Sequence, residues 1–153
     1  MNPLGDHLSR FDYIAIPLHR GPTGHWQNDG VLNGVEASLY LHTGAGRTVL
    51  DFDQARRRGL VLTEGPRPAG GLGTEDMIVH QTTVRHFTLS GIEETRFAVA
   101  VVDLSHVNKG LRASGAQPMD GIIGGDVPES REAIIDYKHR QLYLKGTGSR
   151  RAA

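Results

Sequence analysis

The sequence predicts an all-β domain, on three observations. Twenty of its 153 residues are glycine and 6% are aromatic, a composition that suits a turn-rich sheet protein better than a helix bundle. Apolar and polar residues alternate along several short runs, which puts every second side chain on one face. Between the runs stand turn-forming dipeptides, above all Asn33-Gly34, where both central positions tolerate positive φ.

Phe11 to Ile16 alternates and reads as the first strand, followed by a Gly-, Pro- and polar-rich loop from His19 to Asn28. The Asn33-Gly34 turn joins Val31-Leu32 to a strand starting at Val35. On that strand Val35, Ala37, Leu39 and Leu41 share one face, and Glu36, Ser38, Tyr40 and His42 the other. Asp53 is placed to cap a short helix through Arg58, closed by Gly59. Glu64 to Thr74 is a Pro/Gly-rich interruption. Two β runs follow, Met77 to Leu89 and Thr95 to Leu104, joined by a turn around Ser90-Gly91. The polar stretch Ser105 to Met119 reads as loop, and Ala133 to Tyr137 with Gln141 to Leu144 as a closing hairpin. The expected organisation is an N-terminal extension over 1–10, one domain over 11–145 and a disordered tail over 146–153.

Seventeen basic and seventeen acidic residues cancel, and no long block of either sign suggests a nucleic-acid partner. Arg56-Arg57-Arg58, the densest basic run, is expected on a solvated face near a helix end. The absence of cysteine excludes disulfides and thiolate metal sites. No run approaches the roughly 20 apolar residues that span a bilayer, and Met1 to Arg10 hold no apolar signal core. A soluble, cytoplasmic protein without membrane contact is expected.

Two segments carry the candidate chemistry. His42-Thr43-Gly44-Ala45 lies where a strand meets a tight turn, and Asp120-Gly121-Ile122-Ile123-Gly124-Gly125-Asp126 forms a second glycine turn. In this order, with the Asn-Gly hairpin before them and Ile134-Ile135-Asp136-Tyr137 after, they resemble the two signature segments of the retropepsin-like aspartic proteases. The resemblance covers roughly Ala15 to Lys145. It implies a closed-barrel-like domain with one or two short helices and a flap in the Gly-rich segment. It also implies a homodimer built through the terminal strands and the His-Thr-Gly-Ala turns, each chain supplying half of a two-lobed cleft. By the same resemblance, Thr43 braces the two turns across the dimer. The family motif reads Asp-Thr-Gly-Ala, and its Asp is catalytic; the residue here is His42. Pro128, just after Asp126-Val127, implies that the following helix starts differently or is shorter.

An aspartic protease needs two carboxylates sharing one proton. Neutral imidazole offers one donor and one acceptor, and two apposed rings would carry zero or plus one. Ordinary peptide hydrolysis is therefore disfavoured. Imidazole nonetheless titrates near neutrality and is suited to proton transfer. Three functions stay open. The first is an enzyme with non-standard acid–base chemistry (isomerisation, cyclisation or hydrolysis of a peptide-like or other small substrate) with His42 as acid or base. The second is a catalytically inactive pseudo-protease that binds peptide or partner, and the third a divergent peptidase.

Other residues enter the expected site with less definite roles. Gly70, Gly71 and Gly73 of the flap-like segment would close over an extended ligand. Tyr40, on His42's strand face, and His80 join them as substrate-binding candidates, while Trp26 serves either a pocket or the edge of the core. Asp120, Gly121, Gly124, Gly125 and Asp126 belong to the second turn, the two carboxylates being expected on backbone groups. His42, His80 and His86 have no metal-ligand spacing, and neither metal nor cofactor is expected.

Overall fold

The computed structural model describes residues 1–64 and 78–146. Eleven strands and four short α-helices are described. The larger sheet holds β2 (His19–Arg20), β3 (Trp26–Leu32), β4 (Val35–Leu41), β5 (Val49–Asp51), β6 (Thr63–Glu64), β7 (His80–Leu89), β8 (Ile92–Val102) and β9 (Gly121–Ile123). Its order is β2-β3-β4-β9-β5-β8-β7-β6, and an extra pairing of β3 with β7 closes β3 to β7 into a six-stranded barrel. Closure removes the open edges that a sheet of this size would otherwise expose. The smaller sheet has the order β1-β11-β10, from Tyr13–Pro17, Gln141–Lys145 and Ile134–Asp136. The terminal strands β1 and β11 thus pair within one chain, from Tyr13↔Lys145 to Pro17↔Gln141.

The hairpin signals behave as their chemistry demands. Asn33 and Gly34 both take positive φ (49° and 83°), as do Ser90 and Gly91 (44° and 93°), which matches the twist of the flanking strands. Inside the barrel Leu39, Leu50, Val84, Leu89, Val99 and Ile123 are fully buried. A second cluster outside it gathers Tyr40, Val102, Leu104, Leu111, Met119 and Ile122.

This second cluster exists because Ser105 to Met119 is not simply a loop. Residues Ser105–Ala113 form an α-helix (α3; α1 is Pro3–Leu8, α2 Phe52–Arg57 and α4 Asp126–Ser130). Its buried stripe is narrow, Asn108 and Leu111, and Gly110 lowers its propensity by about 1 kcal/mol relative to alanine. Asn108 works as a core residue by exchanging both of its amide bonds with the backbone of Met119, at 3.0 and 2.8 Å. A polar side chain matched in this way leaves no apolar period in the sequence.

Other expectations need adjustment. The loop expected over His19 to Asn28 contains β2 and the start of β3. The first strand begins two residues late, because a 3₁₀ turn takes Ser9–Phe11. The cap of α2 is Asp51, not Asp53; one Asp51 oxygen accepts from Gln54 N and the other from Leu104 N, tying helix, β5 and the end of β8 together. Arg58 is not on a solvated face. Its side chain is 7% exposed, donating to Gln54 Oε1 and to the Glu36 carbonyl and lying 3.8 Å from Asp120. Arg56 and Arg57 are exposed. Pro128 sits inside α4, which is five residues long. Residues 1–10 include α1, whose Asn2 caps Gly5 N and reaches the Tyr143 hydroxyl on β11 at 2.7 Å. Of the expected tail, 147–153 lie outside the described residues. Among the described residues no helix is long and apolar enough to cross a membrane.

Candidate active site

His42 directly follows β4. That strand runs parallel to β9, with Leu39↔Gly121, Tyr40↔Ile122 and Leu41↔Ile123 in register, and His42 N continues the ladder to the Ile123 carbonyl at 3.0 Å. The chain then turns, since Ala45 N donates back to the His42 carbonyl at 3.0 Å. The second turn lies against the first. Gly125 N donates to the Ala45 carbonyl, and a Cβ on Gly125 would stand 3.3 Å from that oxygen and 3.4 Å from the Thr43 carbonyl. Small residues are needed here because two backbones share the space.

Asp126 locks this crossing. Its carboxylate accepts from Thr48 N at 2.9 Å, from the Thr48 hydroxyl at 2.7 Å and from Val127 N at 3.0 Å, while Gly124 N donates to the same hydroxyl at 3.2 Å. Asp120 does similar work at the other end of β9: Ser38 N donates to its carboxylate at 2.9 Å, and its backbone bridges Ser38 and Asp51. Asp126 is therefore committed to backbone and hydroxyl donors, and Asp120 to one backbone donor. Thr48, 2% exposed, is central to the network and was missed by the sequence reading. A hydroxyl residue just past a Gly-Arg step carries no distinctive signal by itself.

Removing the Asp126 acceptors should be costly. Asp126→Ala leaves two Thr48 donors unpaired and is expected to lose about 2–3 kcal/mol of stability, with Asp126→Asn losing less because one acceptor oxygen remains. Urea unfolding of the two variants measures the difference.

On the turn itself His42, Thr43 and Gly44 are exposed. The His42 ring bends toward Gly44, whose absent Cβ would lie 3.0 Å from the ring's Cε1. No side-chain hydrogen bond holds the ring or the Thr43 hydroxyl among the described residues.

The remaining candidates are not all brought to this place. Tyr40 is 2% exposed and lies in the outer cluster, so it lines no open cleft; its hydroxyl accepts from Gln27 Nε2 at 2.8 Å and donates to the Gln117 carbonyl at 2.6 Å. Burial pushes its phenol above the ordinary value, against the lowering effect of the Gln27 bond. His80 packs on the Phe52 ring, 5.4 Å between centroids, with its Nδ1 buried and without a hydrogen-bond partner among the described residues. His86 does not share its strand face. The alternation on β7 changes phase between the buried residues Val84 and Phe87, opposite Arg96 at φ 53°, and leaves His86 exposed. Trp26 covers the edge of the barrel core and meets Tyr137, 5.8 Å between ring centroids. Gly70, Gly71 and Gly73 lie outside the described residues. Among the described residues no three His, Asp or Glu side chains are grouped to hold a metal ion.

A closed barrel with two interlocked glycine turns, the first ending a strand parallel to the strand of the second, defines an aspartic-protease type of domain. Comparison with known families agrees: residues 29–127 match the model of the aspartyl protease family. The chain belongs to that family. No curated protein matches it. Among solved structures it is similar to a retropepsin-like aspartic protease from Rickettsia conorii (TM-score 0.58, 18% identity, 86% of this chain and 89% of that one). It is also similar to the retroviral protease-like domain of Ddi1 from Leishmania major (TM-score 0.51, 24% identity, 77% and 87%). The EIAV protease, solved with an inhibitor, gives a TM-score of 0.51 at 20% identity, over 68% and 85%. At these identities the structural likeness speaks for the fold.

Proposed function

We propose that this chain is an aspartyl-protease-fold enzyme that has exchanged carboxylate chemistry for imidazole chemistry, with His42 in the place of the catalytic aspartate. The observation that carries this reading is the contrast within the site. The Asp126–Thr48 network and the Gly124-Gly125 crossing that support the first turn are complete. The side chain presented on that turn is an exposed imidazole. Such a ring takes or gives a proton near neutral pH, which suits isomerisation, cyclisation or hydrolysis of a peptide-like or other small substrate. It lacks the paired acceptors with which two carboxylates hold a nucleophilic water. A homodimer would set two such turns together, and sedimentation at micromolar concentration tests that: a strict monomer removes the two-lobed cleft.

A specific observation favours a second reading, a binding module without turnover. The two aspartates of the second turn both accept from the turn's own framework, Asp120 from a backbone N–H and Asp126 from backbone and hydroxyl donors, which ties them to structure. One pair of variants separates the readings. His42→Ala should lower turnover of a true substrate by about 10²–10⁴-fold, the usual worth of a positioned acid–base group. His42→Asp should give cleavage of a mixed peptide library that the natural chain does not cleave, read by mass spectrometry. Full activity in His42→Ala overturns the acid–base role.

A further inference from the structure

The barrel wall is incomplete along one edge of β7. One side of that strand pairs with β8 along most of its length. The other side meets β6 at His80 and Gln81 and β3 at Phe87 and Thr88. Between those pairings, Thr82 to Arg85 have no strand partner on that side among the described residues. The chain leaving α2 crosses this gap, tethered where the Thr82 hydroxyl donates to the Val61 carbonyl at 2.7 Å. A cleft of about 680 Å³ lies here, in the size range of small-molecule sites. None of its lining residues belongs to either glycine turn.

The charge of the cleft is one-sided. Among the described residues it is lined by two guanidinium groups, Arg58 and Arg85, and by no Asp or Glu. The buried Arg58 is engaged at its tip, donating to Gln54 Oε1 and to the Glu36 carbonyl. Its Nε is buried without a hydrogen-bond partner among the described residues, and the Asp120 carboxylate, at 3.8 Å, is too far for a hydrogen bond. Arg58 therefore lends the cleft positive field rather than a contact. Arg85 can make the contact: it is exposed, and no hydrogen bond or ion pair engages its side chain among the described residues. Across the β7–β8 ladder, between the pairs Val84↔Phe97 and His86↔Thr95, stands Arg96, also exposed. Like charges so placed repel, and a bound anion offsets that repulsion. Thr83, two residues before Arg85, is exposed in the same cleft and pairs with the small Ala98. Leu60, Val61 and Ala98 add an apolar wall.

We propose that this cleft binds an organic carboxylate, with Arg85 as its anchor. One unengaged guanidinium matches a monoanion, and its planar fork donates two parallel hydrogen bonds to a carboxylate. A phosphate calls for more cations or for a nest of backbone N–H groups. The Thr83 hydroxyl donates a further bond, and the body of the ligand covers Leu60, Val61 and Ala98. The carboxylate is that of a free organic acid or of a peptide C-terminus, and the cleft recognises the group common to both. The site is separate from His42, so its occupancy and the chemistry of the first turn stand or fall independently.

NMR titration of the full chain with N-acetyl-leucine tests the site. Amide shifts should concentrate on Gly59 to Val61, Thr83, Arg85 and Ala98, and the Arg85 Nε–H signal should move. N-acetyl-leucinamide, the same body without the charge, should bind at least about tenfold more weakly, and R85Q should lose at least about tenfold for N-acetyl-leucine. R85K, which keeps the charge but not the fork, should fall between R85Q and the natural chain. A98W, which fills the cleft and leaves both arginines in place, should abolish the shifts. The amide spectrum of each variant reports that the fold is intact. A tetra-alanyl-leucine peptide, with its C-terminus free and amidated, identifies the source. If the free peptide binds more tightly than N-acetyl-leucine, the site takes peptide ends; if more weakly, it takes free acids. Unchanged binding in R85Q, equal binding of the leucinamide, or no shifts at millimolar N-acetyl-leucine overturns the proposal. Inorganic phosphate moving the same amides at lower concentration overturns the assignment to a carboxylate.

Discussion

Gly124→Ala is expected to destabilise the protein by about 3 kcal/mol, the upper end for overpacking a filled site. A Cβ on Gly124 would stand 2.2 Å from the Arg47 carbonyl oxygen, 2.3 Å from its carbon and 2.8 Å from Thr48 N. These are backbone atoms, so no side-chain rotation makes room. The peptide between Arg47 and Thr48 would have to move. It carries the Thr48 N–H and hydroxyl that Asp126 accepts, and Gly124 N itself donates to that hydroxyl. One methyl group therefore breaks several bonds besides the contact it violates. Gly46 is the matched control: it has open space where its Cβ would be, so Gly46→Ala should leave the urea midpoint nearly unchanged. Equal midpoints for the two variants would show that the crossing is looser than this geometry.

The second large effect belongs to Arg131. Its side chain is 5% exposed and its guanidinium grips the Glu94 carboxylate through Nε at 2.7 Å and through a second nitrogen. The remaining donors reach the Lys145 and Glu93 carbonyls, both at 3.2 Å. The residue thus joins the end of α4, the start of β8 and the last strand of the small sheet. Arg131→Met keeps much of the volume but strands a carboxylate that is only 18% exposed. Breaking one partner of such a pair costs about 3–5 kcal/mol. The double variant Arg131→Met, Glu94→Met removes the stranded charge and should recover a large part of the loss. Thermal unfolding of the three proteins checks the sign, and a double variant less stable than Arg131→Met would refute the account. The exposed Lys145–Glu132 pair, with Glu132 64% exposed, should by contrast be worth little when removed.

Much of the architecture was legible because it rests on local chemistry. The hairpin at Asn33-Gly34 needs two residues at positive φ, and the sequence supplies residues that accept it. The strand that ends at His42 shows its period directly, with Ala37 and Leu39 turned into the barrel and Tyr40 out of it. The two glycine turns were visible as well, since close backbone crossings leave glycine as the residue that fits. Helix α3 was not legible, because its buried stripe depends on Asn108 finding the Met119 backbone 11 residues further along the chain, a match no periodicity records. Arg58 looked like part of a solvated run for a similar reason: the Glu36 carbonyl that accepts its hydrogen bond is 22 residues distant.

For the site, the sequence by itself determined which side chain stands on the first turn, an imidazole at His42, and which small residues let the turns cross. That information is local, fixed by residue type and by a strand period of two. Tertiary structure alone decided what surrounds it. Thr48 and Asp126, 78 residues apart, meet because β5 and β9 are neighbours in the barrel. Tyr40, which shares a strand face with His42, is buried because α3 and the segment after it cover that face. His25, at the end of the loop that precedes β3, lies against Tyr40 with 5.9 Å between ring centroids. Contacts of this kind depend on how separate segments pack in three dimensions, and single-strand patterns hold no trace of them.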